Sequence, residues 1–220
     1  MEATVTVLPR ALRRKTEKSP ATKFAMSVPE NSLAREVDIE KIASAVEMIL
    51  EAIGEDPKRP GLMDTPQRVA RFYQELCYAT GIDAASEISC KFQEETEGLV
   101  LVKDVEFTSL CEHHLVPFTG RAHIAYLPTK GTITGLSKIA RVVEVTARRL
   151  QIQERMTEEI ADAIQSGIGA QAVCVWLEAE HMCMSMRGIK KPGAKTVTTA
   201  FRGLFKDDTQ MRTEVLSYFK

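Results

Sequence analysis

The sequence predicts an α+β fold, in which a four-stranded antiparallel sheet has two helices between its second and third strands. An N-terminal helical segment precedes this sheet. Apolar residues recur at three- and four-residue steps in two early and two later segments, as in amphipathic helices. In two other regions apolar and polar residues alternate, which is typical of strands. The resulting order of strand, strand, helix, helix, strand, strand is an α+β pattern.

The chain divides into three predicted parts, with boundaries near residues 36 and 97. Residues 1–36 contain prolines scattered among Ser, Thr and Lys and no sustained period, which predicts a flexible arm. Residues 37–97 are predicted to form the helical segment. Residues 98–220 are predicted to form the domain that carries the sheet.

Two helices are predicted in the helical segment. The first bears isoleucines and a valine at helical spacing and ends at Gly54, a natural C-terminal cap. The second opens at Thr65, as its N-cap, with Pro66 in the first turn, and continues to Gly81.

The sheet domain begins where the apolar period changes to two. Residues 101–107 predict one strand, and residues 118–127 predict its antiparallel partner. Two helices follow, the first with Ser137 as its N-cap and the second ending near residues 167–169. The remaining predicted elements are a long strand at 172–186, its hairpin partner at 195–201 and a terminal helix at 209–218.

Such a sheet, with its helices on one face, has two open edges. Unpaired edge strands favour pairing with another chain. The sequence therefore predicts an oligomer whose neighbouring subunits close the sheet.

Composition narrows the class of protein. The chain has 220 residues and a formal net charge of -1, which argues against bulk electrostatic attraction to nucleic acid or membrane. Its five cysteines have no regular spacing, so they do not suggest a secreted disulfide framework. We expect a cytoplasmic protein without a membrane span, because thiolate metal ligands need a reducing compartment.

Two short windows hold three of the four histidines, each beside a cysteine. In the first, Cys111 and His114 have the spacing that lets a turn present both side chains to one ion. In the second, alternation along the predicted strand places His181 and Cys183 on one face. Thiolate and imidazole are ligands that zinc prefers, and three ligands with one open position are typical of a catalytic site. We therefore predict that Cys111, His114 and Cys183 bind Zn²⁺, with His113 and His181 free for proton transfer.

A closed structural zinc site is the alternative to this interpretation. It needs a fourth ligand, which either His113 or His181 could supply. The other candidate ligands, which are Cys77, Cys90, Cys174 and His123, are interpreted as ordinary structural residues.

A second cluster suggests a phosphate site. Lys138 and Arg141 follow Ser137 in the first turn of a predicted helix, where unpaired N–H groups attract anions. A solvent-exposed basic face would explain the charges of Lys138 and Arg141 nearly as well. Arg187 on the predicted metal strand favours the phosphate site. Glu154 is either a favourable N-terminal helix charge or an acceptor of two hydrogen bonds from a guanine edge.

These residues, taken together, resemble the GTP cyclohydrolase I family, and the resemblance covers about residue 37 to the chain end. The matching stretches are 109–114 with Pro117, 135–138 with Arg141, 153–155, and 181–183 with 187–189, together with 64–66 and 203–205. This ordered set of motifs is highly specific. The chain departs from the family pattern at none of the site positions.

The resemblance implies a zinc-dependent hydrolase on the tunnelling fold (T-fold). Members of the family convert GTP and water to 7,8-dihydroneopterin 3'-triphosphate and formate, the first step of tetrahydrofolate or tetrahydrobiopterin biosynthesis. They form decameric toroids with active sites between subunits. By this resemblance, Gln153 and Glu154 would hold guanine and His113 and His181 would transfer protons. The triphosphate would be neutralised by Ser137, Lys138, Arg141 and Arg187.

Two rival interpretations remain open. One is a different enzyme on the same fold, which would use a three-histidine zinc site or lack this pair of cysteines. The other is a non-catalytic regulatory subunit with a closed structural zinc site. Whether a regulatory protein binds this chain is not predicted.

Overall fold

A computed structural model describes residues 35–96 and 98–219 and has the mixed α+β fold that the sequence predicts. The predicted arm lies outside the described residues except for its last two positions. In chain order the elements are α1 (Ile39–Ala52), α2 (Thr65–Cys77), a 3₁₀ turn (Ala84–Glu87), β1 (Lys91–Gln93), β2 (Val100–Cys111), β3 (Pro117–Leu127), β4 (Thr132–Thr134), α3 (Leu136–Ala147), β5 (Leu150–Gln151), α4 (Gln153–Ile164), a π-helical turn (Gln165–Gly169), β6 (Ala172–His181), α5 (Met182–Ser185), β7 (Lys195–Gly203), α6 (Leu204–Asp207) and α7 (Thr209–Ser217). Within the described ranges, no helix is both long and apolar enough to cross a bilayer.

The main sheet has the strand order β5-β2-β3-β6-β7. Its four long strands are adjacent and antiparallel, as predicted. The fifth strand, β5, was not predicted, because two residues are too short to show a period. It pairs parallel to the end of β2, with Cys111 opposite Gln151. A separate two-stranded sheet, β1 with β4, was also not predicted.

The larger core lies between this sheet and the two helices α3 and α4. The apolar residues that predicted these helices face the sheet and are fully buried, as are the inward positions of the central strands. This burial fixes which side of each strand points inward, since side chains alternate across a strand. The core includes Ile139, Val142, Ile160, Ile164, Phe118, Ile124, Val175 and Leu177.

A smaller core lies on the opposite face of the sheet. Phe205 of α6 and Val215 of α7 pack there with Phe219 against Ala125 and Cys174. Helices therefore cover part of both faces, whereas the sequence predicts helices on one face only. The terminal helix itself was predicted, but its period does not reveal which surface it packs on.

The boundaries of the early helices differ slightly from prediction. Asp64, not Thr65, is the N-cap of α2, and Pro66 lies in its first turn as expected. The helix ends at Cys77 rather than near Gly81, because the chain turns to meet the body of the fold. There the backbone N–H of Ala79 donates to Arg148 O at 3.0 Å.

The predicted long strand at 172–186 is wrong in its last part. Strand β6 ends at His181, and Met182–Ser185 form the helical turn α5. The neighbouring strands explain this, since β3 offers its last partner at Phe118 and β7 at Lys195. Beyond these two residues no neighbouring strand is available for pairing, so the backbone forms hydrogen bonds within a helical turn.

Gly120 in β3 is required by close contact with β6. A Cβ atom there would lie 2.0 Å from Glu178 O and 2.6 Å from the Ala179 Cβ. We expect Gly120→Ala to destabilise the fold by about 1–3 kcal/mol, because backbone must shift to admit the methyl group. Denaturant unfolding measures this. Gly98→Ala is the control, since its Cβ would meet nothing closer than 3.6 Å, and an equal loss in both variants would contradict the explanation.

Candidate active site

The turn between β2 and β3 presents the first two candidate ligands. Cys111 ends β2 and is buried, and its carbonyl accepts hydrogen bonds from the backbone N–H groups of His114 and Leu115. Leu115 has a positive φ of 56°. The turn is closed by the backbone N–H of Cys111, which donates to Val116 O at 2.9 Å. The Cys111 Sγ and His114 Nδ1 atoms consequently lie 3.8 Å apart.

Cys183 completes the group from the turn α5, directly after β6. The ligand atoms of Cys111, His114 and Cys183 all lie within 4.8 Å of one another. Tetrahedral zinc with bonds of about 2.0–2.3 Å places its ligand atoms about 3.5–3.8 Å apart. The Cys111–His114 pair already has this separation, at 3.8 Å, so the donor set suits the ion. His113 is not in this group, which contains three ligands in the part of the chain that the structure describes.

The thiol of Cys183 is affected by its surroundings in the group. Burial raises the pKa of Cys183, the neighbouring Cys111 raises it further, and the charge of Arg187 opposes both. Two thiolates this close repel each other, and a bound cation reverses that effect by favouring the deprotonated forms.

The two remaining histidines flank the group differently. His113 is exposed, with Nδ1 3.9 Å from Cys111 Sγ. His181 is half-buried and stacks on Phe118, with ring centroids 4.6 Å apart and an interplanar angle of 1°. Burial lowers the pKa of His181, against the opposing charge of Glu154, so its neutral form is favoured.

The first turn of α4 lies beside His181. Gln153 is 1% exposed, and its Oε1 atom lies 2.8 Å from His181 Nε2. Its amide nitrogen is occupied by groups of β6 and β7, so this side chain makes its hydrogen bonds inside the protein. Glu154 differs, since its side chain lines a cavity of about 330 Å³ with Arg155, Glu158, Thr198 and Thr199.

The predicted phosphate residues do not all lie near the metal ligands. Ser137, Lys138 and Arg141 lie at the start of α3, whose 12 residues span about 18 Å. The far end of α3 approaches the metal ligands, since Ser109 Oγ donates to Ala147 O at 2.7 Å. Ser137 is not the N-cap that was predicted, because the helix begins at Leu136 and Gly135 is its N-cap. Arg187, by contrast, lies close enough to influence Cys183.

A polar network that the sequence analysis missed ties the metal turn to α4. Arg155 donates to Glu112 Oε2 at 2.5 Å, to Gln151 Oε1 at 3.0 Å and to Leu150 O at 3.1 Å. The backbone N–H of Glu112 also donates to Gln151 O at 3.0 Å. Glu112 and Arg155 lie inside the recognised motifs, but only the fold reveals that they meet.

We expect Arg155→Ala to weaken metal binding about 10- to 100-fold, the range typical of residues that orient metal ligands. The reason is that Glu112, between Cys111 and the histidines, loses its side-chain anchor. Competition with a zinc chelator measures the affinity. Arg121→Ala is the matched control, because Arg121 pairs with Asp104, away from the metal turn. Unchanged affinity in Arg155→Ala would contradict this role.

The other cysteines and the fourth histidine do not join the metal group. Burial raises the pKa of Cys174 to about 12, which makes it an inert core residue. Cys90 is exposed and Cys77 is half-buried. His123 Nδ1 accepts a hydrogen bond from the backbone N–H of Asp104 at 3.2 Å.

A comparison with solved structures finds an archaeosine synthase QueF-like protein in its apo form. It is 15% identical, with a TM-score of 0.42, and the match covers 50% of this chain and 97% of that one. A TM-score at that level does not establish a shared fold.

Sequence comparisons give a clear result. The family model for GTP cyclohydrolase I matches residues 42–220. GTP cyclohydrolase 1 of Geobacillus kaustophilus is 57% identical over 185 residues, which are 84% of this chain and 98% of the relative. The Bacillus subtilis protein of the same name is 56% identical over 186 residues, again 84% and 98%. The chain therefore belongs to the GTP cyclohydrolase I family of enzymes.

Proposed function

We propose that the chain is a zinc-dependent GTP cyclohydrolase, converting GTP and water to 7,8-dihydroneopterin 3'-triphosphate and formate. This is the first step toward tetrahydrofolate or tetrahydrobiopterin. The observation that carries the proposal is the group formed by Cys111, His114 and Cys183, with two further imidazoles beside it. A reducing compartment such as the cytoplasm would keep both cysteines available as ligands.

Three protein ligands leave a fourth position open, which suits a catalytic zinc rather than a closed structural one. Zinc held there supplies a Lewis acid that lowers the pKa of water toward about 7. The turn after β2 presents Cys111 and His114, and the turn α5 presents Cys183.

His113 and His181 are the proposed proton-transfer residues. The reaction adds water to C8 of guanine, opens the imidazole ring and releases formate, and each change moves protons. An imidazole is suited to this because it both accepts and donates protons near neutral pH. Exposed His113 can exchange protons with solvent, whereas His181 is held against Phe118.

Glu154 is the proposed receptor for the guanine edge. A carboxylate accepts two hydrogen bonds, which matches the adjacent N1–H and N2–H donors of guanine. Its position on the cavity side of α4, near His181, supports this role. Gln153, predicted to share it, is buried and already hydrogen-bonded.

We propose that the triphosphate is bound by two copies of the chain. Arg187 would come from the subunit that carries the metal group, and Ser137, Lys138 and Arg141 from a neighbour. Separation of those three from the metal group by much of the length of α3 supports this division. The assembly would be the decameric toroid, on the T-fold, that the family resemblance implies.

Sharing of the site between subunits predicts complementation. Lys138→Ala and His113→Ala should each be nearly inactive, but dissociating and reassembling them together should restore about a quarter of wild-type activity, because one site in four then has both halves intact. Formate release from the mixed oligomer measures this. Mixing His113→Ala with His181→Ala is the control, since both changes lie in one half. Equal recovery in both mixtures would contradict a shared site.

The direct test is formate release from GTP by reduced, zinc-loaded protein, with the oxidised pterin detected by fluorescence. Equal amounts of formate and pterin support the full reaction. Absence of both, in assembled and zinc-bound protein, would overturn the proposal and favour a regulatory subunit or a different enzyme of the same fold.

A further inference from the structure

We propose that Gln153 is a positioning residue that fixes the tautomer of His181. In that tautomer the proton lies on Nε2, and Nδ1 is the nitrogen that exchanges protons with the substrate. The inference rests on the proposed function, since it concerns a proton-transfer residue of that reaction.

The orientation of the Gln153 amide is determined by its neighbours. Its Nε2 atom lies within hydrogen-bonding distance of three acceptors, which are Leu177 O at 3.2 Å, Thr196 O at 3.0 Å and Thr198 Oγ1 at 3.1 Å. Two of these partners are carbonyl oxygens, which only accept hydrogen bonds. A flipped amide would place Oε1 against both of them, so Oε1 must point toward His181.

The tautomer of His181 follows from this orientation. The amide oxygen, 2.8 Å from His181 Nε2, has no proton to give, so Nε2 must carry one. A neutral imidazole has a single N–H, which leaves the lone pair on Nδ1. Parallel stacking on Phe118 holds the ring plane, so the two nitrogens cannot readily change places.

Burial makes this acceptor hard to replace. Gln153 is 1% exposed, so its amide oxygen is shielded from bulk solvent. The supporting carbonyls belong to the neighbouring strands β6 and β7, in which Leu177 pairs with Thr198 and Ala179 with Thr196. The sheet therefore fixes the orientation of the Gln153 amide, and the amide fixes the tautomer of His181, in the absence of substrate.

The tautomer is measured by solid-state NMR of protein labelled with ¹⁵N-histidine. The chain has four histidines, and the signals absent from His181→Ala belong to His181. We expect only the Nε2–H form in wild type and a mixture of both forms in Gln153→Met. Gln153→Glu should keep the Nε2–H form, since it still offers an oxygen acceptor.

Gln151→Met is the matched control for the tautomer, because Gln151 is also fully buried but hydrogen-bonds to Thr146, Glu159 and Arg155 instead. It should leave the His181 tautomer unchanged. Nδ1–H in wild type, or an unchanged tautomer in Gln153→Met, would overturn the proposal.

Kinetics separate positioning from substrate contact. Gln153→Met should lower kcat about 10- to 100-fold with little change in KM, as expected for a residue that orients another. A raised KM with unchanged kcat would instead mean that Gln153 contacts GTP directly, which overturns the proposal. If wild type releases no formate, the proposed function fails, whereas the NMR result still decides the tautomer.

Discussion

Cys183→Ala is expected to lose its zinc and its turnover together. The substitution leaves two ligands, Cys111 and His114, which is fewer than the three protein ligands that catalytic zinc sites use. We expect the metal affinity to fall by more than about 100-fold, which exceeds the effect of removing a residue that merely orients a ligand. Metal analysis after gel filtration, alongside formate release, measures both quantities.

The control for Cys183→Ala is Cys90→Ser. Cys90 is exposed and lies outside the metal group, so its loss should change neither zinc content nor turnover. Chelation of wild-type protein should likewise abolish turnover, and added zinc should restore it. Full activity in metal-free protein would contradict the zinc-dependent mechanism.

His113→Ala and His181→Ala are expected to lower turnover about 10²- to 10⁴-fold while keeping stoichiometric zinc. This range is typical of removing a group that transfers a proton in the transition state. Zinc should remain because neither imidazole belongs to the group of ligand atoms within 4.8 Å. Single-turnover formate release, with metal content from the same sample, makes the comparison.

His123→Gln is the matched control for these histidine variants. His123 accepts a backbone hydrogen bond from Asp104, on the face of the sheet opposite the larger core. Glutamine can accept the same bond, so activity should persist. Loss of zinc from His113→Ala or His181→Ala would instead support the closed structural site, in which one of them is the fourth ligand.

The ligand group was predictable because its signal is local. Cys111 and His114 share one turn, and their spacing alone indicates that both reach one ion. The structure brings Cys183 close to Cys111 and His114, but from an element other than the predicted strand. The alternation of residues 181–187 indicated a strand, whereas Cys183 reaches the group from a helical turn.

The contacts that the sequence did not reveal depend on strand pairing. The end of β6 is decided by where β3 and β7 run out of partners, which no period within 172–186 records. The same holds for Arg155, whose contact with Glu112 exists because β5 lies beside the end of β2. The periodicity of apolar residues predicts which residues face the core, but it does not predict which strand ends meet.

The strand order also determines when metal can first be captured. Cys111 ends β2 and Cys183 follows β6, and these strands are not neighbours because β3 lies between them. The proposed zinc site would therefore remain incomplete in a chain emerging from the ribosome until β6 has been synthesised and paired with β3. Zinc uptake during translation would thus report a nearly finished sheet, and a chain truncated before residue 183 would leave the ribosome without its metal.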